Sequence, residues 1–341
     1  MGDSIDNIVP HYGMSAGDGP HSYRGALDAV KPILEEEIAA KFDIWSGQEA
    51  LCIADFGCST GHNSFEALRI IIEAIKRKHE SSDLKIPEFH VFFNDVVAND
   101  FNTLFSSLPT DRNYYVAAVP GDFHRRLLPP SSLHFAYSSW ALMWLTEAPE
   151  AAEYGGDGYL EQFERDLDSF LKCRAVEMVD GGLMALLIPG VPALWDQEKE
   201  FTVASVVEPL RSCLVNMAEK GRLSKAKIES FKVPQYFPNH QQLRAILERS
   251  ESFSIERMET LKHGRTSYSA EARAKSIRAA LQTMIARHFG DEIIDELFHL
   301  YKEKLAASPI FRELNNDKTV VLLAILKRTN LQCETAARLL I

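Results

Sequence analysis

The stretch Ala50-Leu-Cys-Ile-Ala-Asp-Phe-Gly-Cys-Ser-Thr-Gly-His-Asn63 decides how this chain is organised. An apolar run ends in Asp55, and Gly57 and Gly61 follow before apolar residues at helical spacing begin near Asn63. Such a run predicts a buried parallel strand, and the glycines permit a tight turn against a ligand. Ligands of open α/β folds lie at the carboxyl ends of strands, where a helix N-terminus offers free N–H groups. The stretch therefore predicts a strand, a ligand-binding turn and a helix.

The motif Asp-x-Gly-Cys-x-x-Gly differs from the dinucleotide motif Gly-x-Gly-x-x-Gly at its first position, where Asp55 stands. An acid there disfavours a pyrophosphate and suits a cationic ligand, so a nicotinamide oxidoreductase is the weaker interpretation. S-adenosylmethionine carries an ammonium and a sulfonium group, and we predict it as the ligand. The alternative is an ordinary strand, turn and helix without this ligand.

The overall composition is typical of a globular protein. The 341 residues are 46% hydrophobic and 25% charged, which is enough to bury a sizeable core. The net charge of −11 argues against a nucleic-acid partner. No apolar run has membrane-spanning length, and the N-terminus resembles no secretory signal. Five cysteines without Cys-x-x-Cys spacing indicate reduced thiols, no zinc site and a cytoplasmic protein.

Strand and helix patterns alternate through the first part of the chain, which predicts a doubly wound α/β sheet. Apolar runs predict strands at 50–54, 89–95, 115–119, 133–139, 183–188, 253–261 and 319–327. Helical spacing predicts helices that include one from Asp28 to about 42 and others at 63–79, 159–179, 201–218, 241–249, 271–288 and 292–306. The segment 193–250 lacks strong strands and is interpreted as the start of a helical cap.

Two further acids follow predicted strands. Asp95 ends the second strand, where a carboxylate can accept hydrogen bonds from both ribose hydroxyls of a nucleoside. The alternative role for Asp95 is a cap for a helix over 99–108. Asp122 and Phe123 follow the third strand and suit an adenine, the acid accepting from the amino group while the ring stacks. An ordinary polar turn explains these two residues equally well.

Trp140, Met143 and Trp144 follow the fourth predicted strand. At a strand end that faces a ligand, they would form the wall of an apolar substrate pocket. Alternatively, the two tryptophans belong to a helix core, because they are four residues apart.

Taken together, these motifs resemble one family, the plant SABATH methyltransferases, which methylate carboxyl groups of small acids or nitrogens of xanthine alkaloids. The resemblance covers about residues 14–328. It rests on matching segments at 14–23, 54–61, 94–95, 99–102, 119–121, 132–135, 142–145, 170–174 and 288–290.

The resemblance implies a Rossmann-like class I α/β fold with a helical cap, S-adenosylmethionine as methyl donor, and a homodimer. One unit would span 1–328, with an α/β core (45–192, 251–263, 317–328), a cap (193–250, 268–310), an N-terminal segment (1–44) over the site, and a tail (329–341). Besides Asp55 and Gly57, the matching cofactor positions are Tyr23, Cys58, Asn63, Asp95, Val96, Asp122 and Phe123. Asp122 stands where the family has serine. The matching substrate wall is Trp140, Met143 and Trp144.

The sequence departs from the family pattern in three places, one of which is a shortened loop after Pro149. A segment of the form Ala-x-Asn-Ser-x-x-Gln is missing after Tyr23, and with it a glutamine that would hold the substrate, so Arg24 is a candidate replacement. The family's magnesium motif Asp-x-Phe-Asn reads Glu229-Ser-Phe-Lys232 here. A protonated lysine cannot ligate a hard cation, so we expect no metal.

The predicted function is methyl-ester formation on a small carboxylic acid, such as a salicylate-like or benzoate-like acid. A carboxylate is already ionised at neutral pH and needs no general base. Catalysis would then be positioning, with the N–H of Trp144 orienting the acceptor. Two alternatives are an N-methyltransferase of a xanthine-type heterocycle and a catalytically impaired relative that only binds S-adenosylmethionine.

Overall fold

A single sheet of seven strands forms the centre of the structure. The computed structural model describes residues 20–45, 47–149, 153–262 and 269–329, with side chains described from residue 26 onward. The strands are β1 (Ala50–Phe56), β2 (Glu88–Asn94), β3 (Tyr115–Ala118), β4 (Leu133–Ser139), β5 (Met178–Gly190), β6 (Phe253–Lys262) and β7 (Val320–Arg328). Their order across the sheet is β3-β2-β1-β4-β5-β7-β6.

The first five strands pair in parallel, whereas β7 runs antiparallel to both β5 and β6. Strand β1 lies between β2 and β4, with Ile53 paired to Val91 on one side and to Phe135 on the other. Because helices cover both faces, such a central strand is apolar along most of its length. This position places Asp55 at the middle of the ligand-binding edge.

The helices are α1 (Pro20–Lys41), α2 (His62–Ser81), α3 (Phe101–Ser106), α4 (Asp157–Glu177), α5 (Val207–Glu219), α6 (Lys225–Ser230), α7 (His240–Glu248), α8 (Ala270–Phe289), α9 (Ile294–Ala307) and α10 (Pro309–Arg312). Helices α1 and α2 cover one face of the sheet, through residues such as Leu34 and Ile71. Helix α4 covers the other face, through residues such as Phe163 and Phe170. The predicted Rossmann-like α/β fold is confirmed.

A third cluster of buried residues joins α5, α8 and α9 to Met143 and Trp144. It includes Leu210, Leu281 and Leu297, so these helices form a cap beyond the sheet edge. We therefore propose that the chain divides into an α/β core and a helical cap, and the packing of these three helices supports this division.

Helix α7 packs apart from the other helices of the proposed cap, and the predicted start of α1 is wrong. Helix α7 lies in the range assigned to the cap, but its buried residues Leu243, Ile246 and Leu247 pack in the cluster that covers the α4 face of the sheet. Helix α1 begins at Pro20 rather than at Asp28, which is an exposed residue inside the helix. Apolar spacing marked the buried face of α1 but did not mark its start.

Candidate active site

The turn after β1 fits tightly against its surroundings. Gly57 has φ +88°, and a Cβ added there would lie 2.2 Å from the Cβ of Ala141. Gly61 has φ +92°, and a Cβ there would lie 2.4 Å from Cζ of Phe65. Both conformations favour glycine, and both positions leave no room for a side chain. Helix α2 then begins at His62 without a side-chain cap, so its first N–H groups remain available for a ligand.

Asp55 is a buried carboxylate at the end of β1. Its exposed fraction is 1%, and its Oδ2 is buried without a hydrogen-bond partner in the described part of the chain. Burial raises the pKa of Asp55 to about 7, and the charge of the nearby Asp95 adds to this shift. A cationic ligand group would favour the ionised form and satisfy this oxygen. The site therefore fits the ammonium group of an amino acid.

Asp95 lies beside Asp55 at the end of β2. Its Oδ2 accepts a hydrogen bond from the N–H of Ser59 at 2.7 Å, and its Oδ1 accepts from the N–H of Val96 at 2.8 Å. Burial raises the pKa of Asp95 to about 6, although these two hydrogen bonds oppose the shift. The helix-cap alternative for this residue is wrong, because Asp100 caps α3 by accepting from the N–H of Thr103 at 3.0 Å.

Asp122 and Phe123 lie in the loop after β3. Oδ1 of Asp122 pairs with Nδ1 of His124 at 2.8 Å and accepts from the N–H of His124 at 2.9 Å. Burial alone would raise the pKa of Asp122, but the hydrogen bonds and charge of His124 outweigh it and lower the pKa. The Phe123 ring packs edge-on against Phe170, with centroids 6.0 Å apart. The loop thus offers an anion and a fixed aromatic ring.

Trp140, Met143 and Trp144 do not form a helix. Residues 140–149 are turns and irregular backbone apart from one isolated bridge at Trp144, so the helix-core alternative is wrong. Trp140 has φ +57°, in the left-handed region that bulky residues rarely adopt. Its backbone N–H donates to the carbonyl oxygen of Leu187 on β5 at 2.9 Å, which fixes the segment to the end of the sheet.

One cavity connects all of these groups. Eleven of the residues predicted from the sequence line it: Asp55, Gly57, Cys58, Asn63, Asp95, Val96, Asp122, Phe123, Trp140, Met143 and Trp144. Burial, with the charges of Asp95 and Asp55, raises the pKa of the Cys58 thiol well above its usual value, so this thiol is neutral. Tyr23 and Arg24 belong to the first turns of α1, and their side chains lie outside the described residues.

The cap supplies cavity residues that the sequence analysis missed. They come from the segments around 203–206 and 235–237 and from one face of α8: Val203, Val206, Gln235, Phe237, Arg273, Ser276, Ile277, Ala280 and Leu281. The α8 members recur at helical spacing, which could have identified a buried face but not what it faces. Arg273 pairs with Asp317 at 2.8 Å and lies 4.5 Å from the ring centroid of Phe201, so it ties α8 to the chain before β7.

Comparison with known proteins identifies the family. A family model described as SAM dependent carboxyl methyltransferase matches residues 10–157 and 155–329. The chain belongs to the SABATH carboxyl methyltransferases. The resemblance inferred from the sequence motifs is therefore confirmed, and S-adenosylmethionine is the methyl donor of this enzyme family.

Several plant carboxyl methyltransferases are similar to this chain. Loganic acid O-methyltransferase from Catharanthus roseus is 36% identical over 95% of this chain and 96% of the relative. A benzoic acid/salicylic acid carboxyl methyltransferase from Petunia hybrida is 32% identical over 87% and 93%. A solved structure of loganic acid methyltransferase with SAH has a TM-score of 0.86 and 33% identity, covering 97% of this chain and 99% of that one.

The cavity of this methyltransferase fits its donor. The unpaired Oδ2 of Asp55, the crowded glycines and the uncapped start of α2, all within the described part of the chain, suit an amino acid with an ammonium and a carboxylate.

Among the described residues, no group of three or more His, Cys, Asp or Glu side chains is arranged to hold a metal ion. Glu229 and Lys232 lie outside the cavity lining, with Glu229 exposed on α6. Within the ranges that the structure covers, no helix has the length and apolar character to cross a bilayer.

Proposed function

We propose that this enzyme forms methyl esters of small aromatic or alicyclic monocarboxylic acids. The observation that carries the proposal is the composition of the acceptor end of the cavity. Trp140, Met143 and Trp144 line the cavity, and α8 contributes Ile277 and Leu281 to the same lining. Aromatic and thioether groups contact flat apolar rings well. A purine acceptor would need polar groups paired with its ring heteroatoms, and Met143 offers no strong donor or acceptor.

Different residues at the cofactor end would contact different parts of the methyl donor. We propose that Asp55 faces its ammonium group and that Asp95 accepts from the ribose hydroxyls, with Val96 beside the adenine. Asp122 and Phe123 would contact the adenine. Positions Gly57, Cys58 and Asn63, with Tyr23, would surround the amino-acid end. Two carboxylates close to a cationic ligand lower the free energy of the bound state by charge complementarity.

Methyl transfer to a carboxylate needs no general acid or base among the protein side chains. When bound, S-adenosylmethionine supplies an electrophilic methyl group on a sulfonium. A small carboxylic acid in water has a pKa of about 4 and is ionised at neutral pH, so no side chain needs to remove a proton. The protein holds the carboxylate in line with that methyl group and excludes water, which accounts for up to about 7–11 kcal/mol of barrier in well-oriented reactions. Trp144, whose indole N–H only donates, is our choice for orienting the carboxylate.

We further propose that the enzyme works without a metal, as a homodimer, in the cytoplasm. Lys232 in place of a magnesium ligand supports metal independence. Cys52, Cys58, Cys173 and Cys213 are free thiols, which is typical of proteins from a reducing compartment. Sedimentation analysis and a fluorescent fusion would test the assembly and the location.

An acceptor panel tests the proposed reaction. The purified enzyme with methyl-labelled donor would be offered salicylate, benzoate, cinnamate, jasmonate and loganate beside xanthine and 7-methylxanthine. We expect labelled methyl ester from at least one acid and no labelled xanthine. Methylation of xanthines with no transfer to any acid would show that the carboxyl proposal is wrong. Binding of S-adenosylhomocysteine with no methyl transfer to any acceptor would instead support a catalytically impaired protein.

A further inference from the structure

Gln235 is a buried polar residue whose side chain has no described partner. Its exposed fraction is 7%, and it lines the cavity. The side-chain amide makes no hydrogen bond to another residue that the structure describes, although its backbone N–H donates to Val233 at 2.9 Å. A polar group on a cavity wall pairs with whatever fills the cavity, whether water or a ligand. The Gln235 amide is therefore available to a polar group of a ligand in this cavity.

The backbone places Gln235 directly beside Trp144. These two residues form an isolated antiparallel bridge. Leu145 donates to the carbonyl oxygen of Pro234 at 2.8 Å, and Tyr236 donates to that of Met143 at 2.9 Å. Since the hydrogen bonds flank the pair, Trp144 and Gln235 occupy a non-hydrogen-bonded position, where Cα atoms are about 4.5 Å apart and side chains project to the same side.

The two side chains therefore enter the cavity as neighbours. An indole offers one N–H and no acceptor, whereas a primary amide offers two N–H donors and one oxygen. An ionised carboxylate has two oxygens and only accepts. Two adjacent N–H donors from different side chains match those two oxygens, while Met143 and Phe237, which also line the cavity, are apolar.

We propose that Gln235 binds the carboxylate of the acceptor together with Trp144, a role that rests on the proposed function above. The amide N–H donates to one carboxylate oxygen and the indole N–H to the other. This arrangement fixes which oxygen points toward the donor methyl group. It also makes Gln235 a determinant of acceptor class, since a neutral ring nitrogen would use only one of the two donors.

Substitution of the amide tests this role. Gln235→Leu removes the donor at similar volume, and Gln235→Glu keeps the shape but brings a second carboxylate toward the first. We expect the KM for the acid to rise by about 10–100-fold in Gln235→Leu, the range for losing a hydrogen bond to a charged group, and further in Gln235→Glu at pH 8. In Gln235→Glu, KM should fall again from pH 8 to pH 6 as the new side chain gains a proton. A residue that only fills space would not produce this pH dependence.

Controls separate this inference from folding and from the proposed reaction. Gln241→Leu makes the same change at an exposed position of α7 and should leave the KM unchanged. Titration calorimetry should give each variant the wild-type affinity for S-adenosylhomocysteine, which would establish that the cofactor end is folded. If Gln235→Leu binds S-adenosylhomocysteine more weakly, the KM of the near-isosteric Gln235→Glu is used instead to test the role. Wild-type KM for the acid in a folded variant, with an active wild type, would overturn the role of Gln235 alone. A wild type that methylates no acid would overturn the proposed function and this role with it.

Discussion

The carboxylate of Asp95 holds the backbone of Ser59 and thereby joins the ends of two neighbouring strands. Ser59 donates its N–H to Asp95 at 2.7 Å, and Asn99 donates its side-chain amide to the carbonyl oxygen of Ser59 at 2.8 Å. The turn after β1 is thus fixed by the segment after β2. Each carboxylate oxygen has a second lone pair, so Asp95 can hold this turn and still accept from a ligand.

Removal of this carboxylate should weaken cofactor binding. We expect Asp95→Ala to reduce the affinity for S-adenosylhomocysteine by roughly 1.5–3 kcal/mol, the range for hydrogen bonds to a charged group. Titration calorimetry measures this change. Asp100→Ala is the matched control: it removes the cap of α3, costs about 0.5–2 kcal/mol of stability, and should leave the affinity intact. Unchanged affinity in Asp95→Ala would remove this residue from the ribose site.

Asp55 should make the stability of the ligand-free protein depend on pH. Its pKa is about 7 in the folded state and 3.8 in the unfolded chain, so the folded state binds more protons between these values. The free energy of unfolding should therefore fall as pH rises from about 4 to about 7 and then level off. Asp55→Asn should be more stable than wild type at pH 8 by a few kcal/mol, at roughly 1.4 kcal/mol per pKa unit, and the difference should shrink toward pH 4.

Chemical denaturation at several pH values checks this prediction. Asp122→Asn is the informative control, because the pKa of Asp122 is lowered and its ionised form is stabilised by His124. That variant should lose stability at pH 8, opposite in sign to Asp55→Asn. A pH-independent difference between wild type and Asp55→Asn would contradict the raised pKa that burial gives Asp55.

Arg174 should support the loop that carries Phe123. Its guanidinium donates to the carbonyl oxygens of Phe123 at 3.0 Å and Arg125 at 2.9 Å, and it pairs with the buried Glu177 at 2.8 Å. Arg174→Met should cost about 3–5 kcal/mol of stability, because the buried Glu177 carboxylate would lose its counter-ion. Lys172→Met changes an exposed position of the same helix and should be neutral. Denaturation and S-adenosylhomocysteine binding would measure both; wild-type stability in Arg174→Met would refute the support role.

Turnover should not require an added metal ion. Lys232 replaces a ligand of the family's magnesium motif, so dialysis against EDTA should leave kcat and KM unchanged. Magnesium, calcium and zinc would then be added back one at a time to the dialysed enzyme. Activity that is lost on dialysis and restored by one of them would show that the enzyme needs a metal.

The strand ends were the most predictable part of the site. Apolar runs located β1 and β2 closely enough to place Asp55 and Asp95 at one edge, because parallel strands bring their carboxyl ends together. The left-handed backbone of Trp140 was not predictable, since it depends on a hydrogen bond to Leu187, distant in the chain. The same reason explains why Gln235 was missed: only its pairing with Trp144 brings it to the cavity.

Helix positions were predicted better than helix partners. The sequence predicted a helix over 241–249, close to α7, but helical spacing carries no information about which surface covers its buried residues Leu243, Ile246 and Leu247. Local sequence placed this helix in the cap, whereas tertiary packing places it against the sheet. The start of α1 was missed for a related reason, because Asp28 is a good capping residue that lies on an exposed helix surface.

The two ends of the cavity come from separate parts of the chain. In the proposed assignment, lining residues between 55 and 124 form the donor end, and lining residues between 137 and 146 and between 203 and 281 form the acceptor end. Mutations in the later positions can therefore accumulate without changing the groups that contact the methyl donor. Such an arrangement lets gene duplicates diverge toward new acids while the donor requirement stays constant, and it directs engineering of this enzyme to the cap.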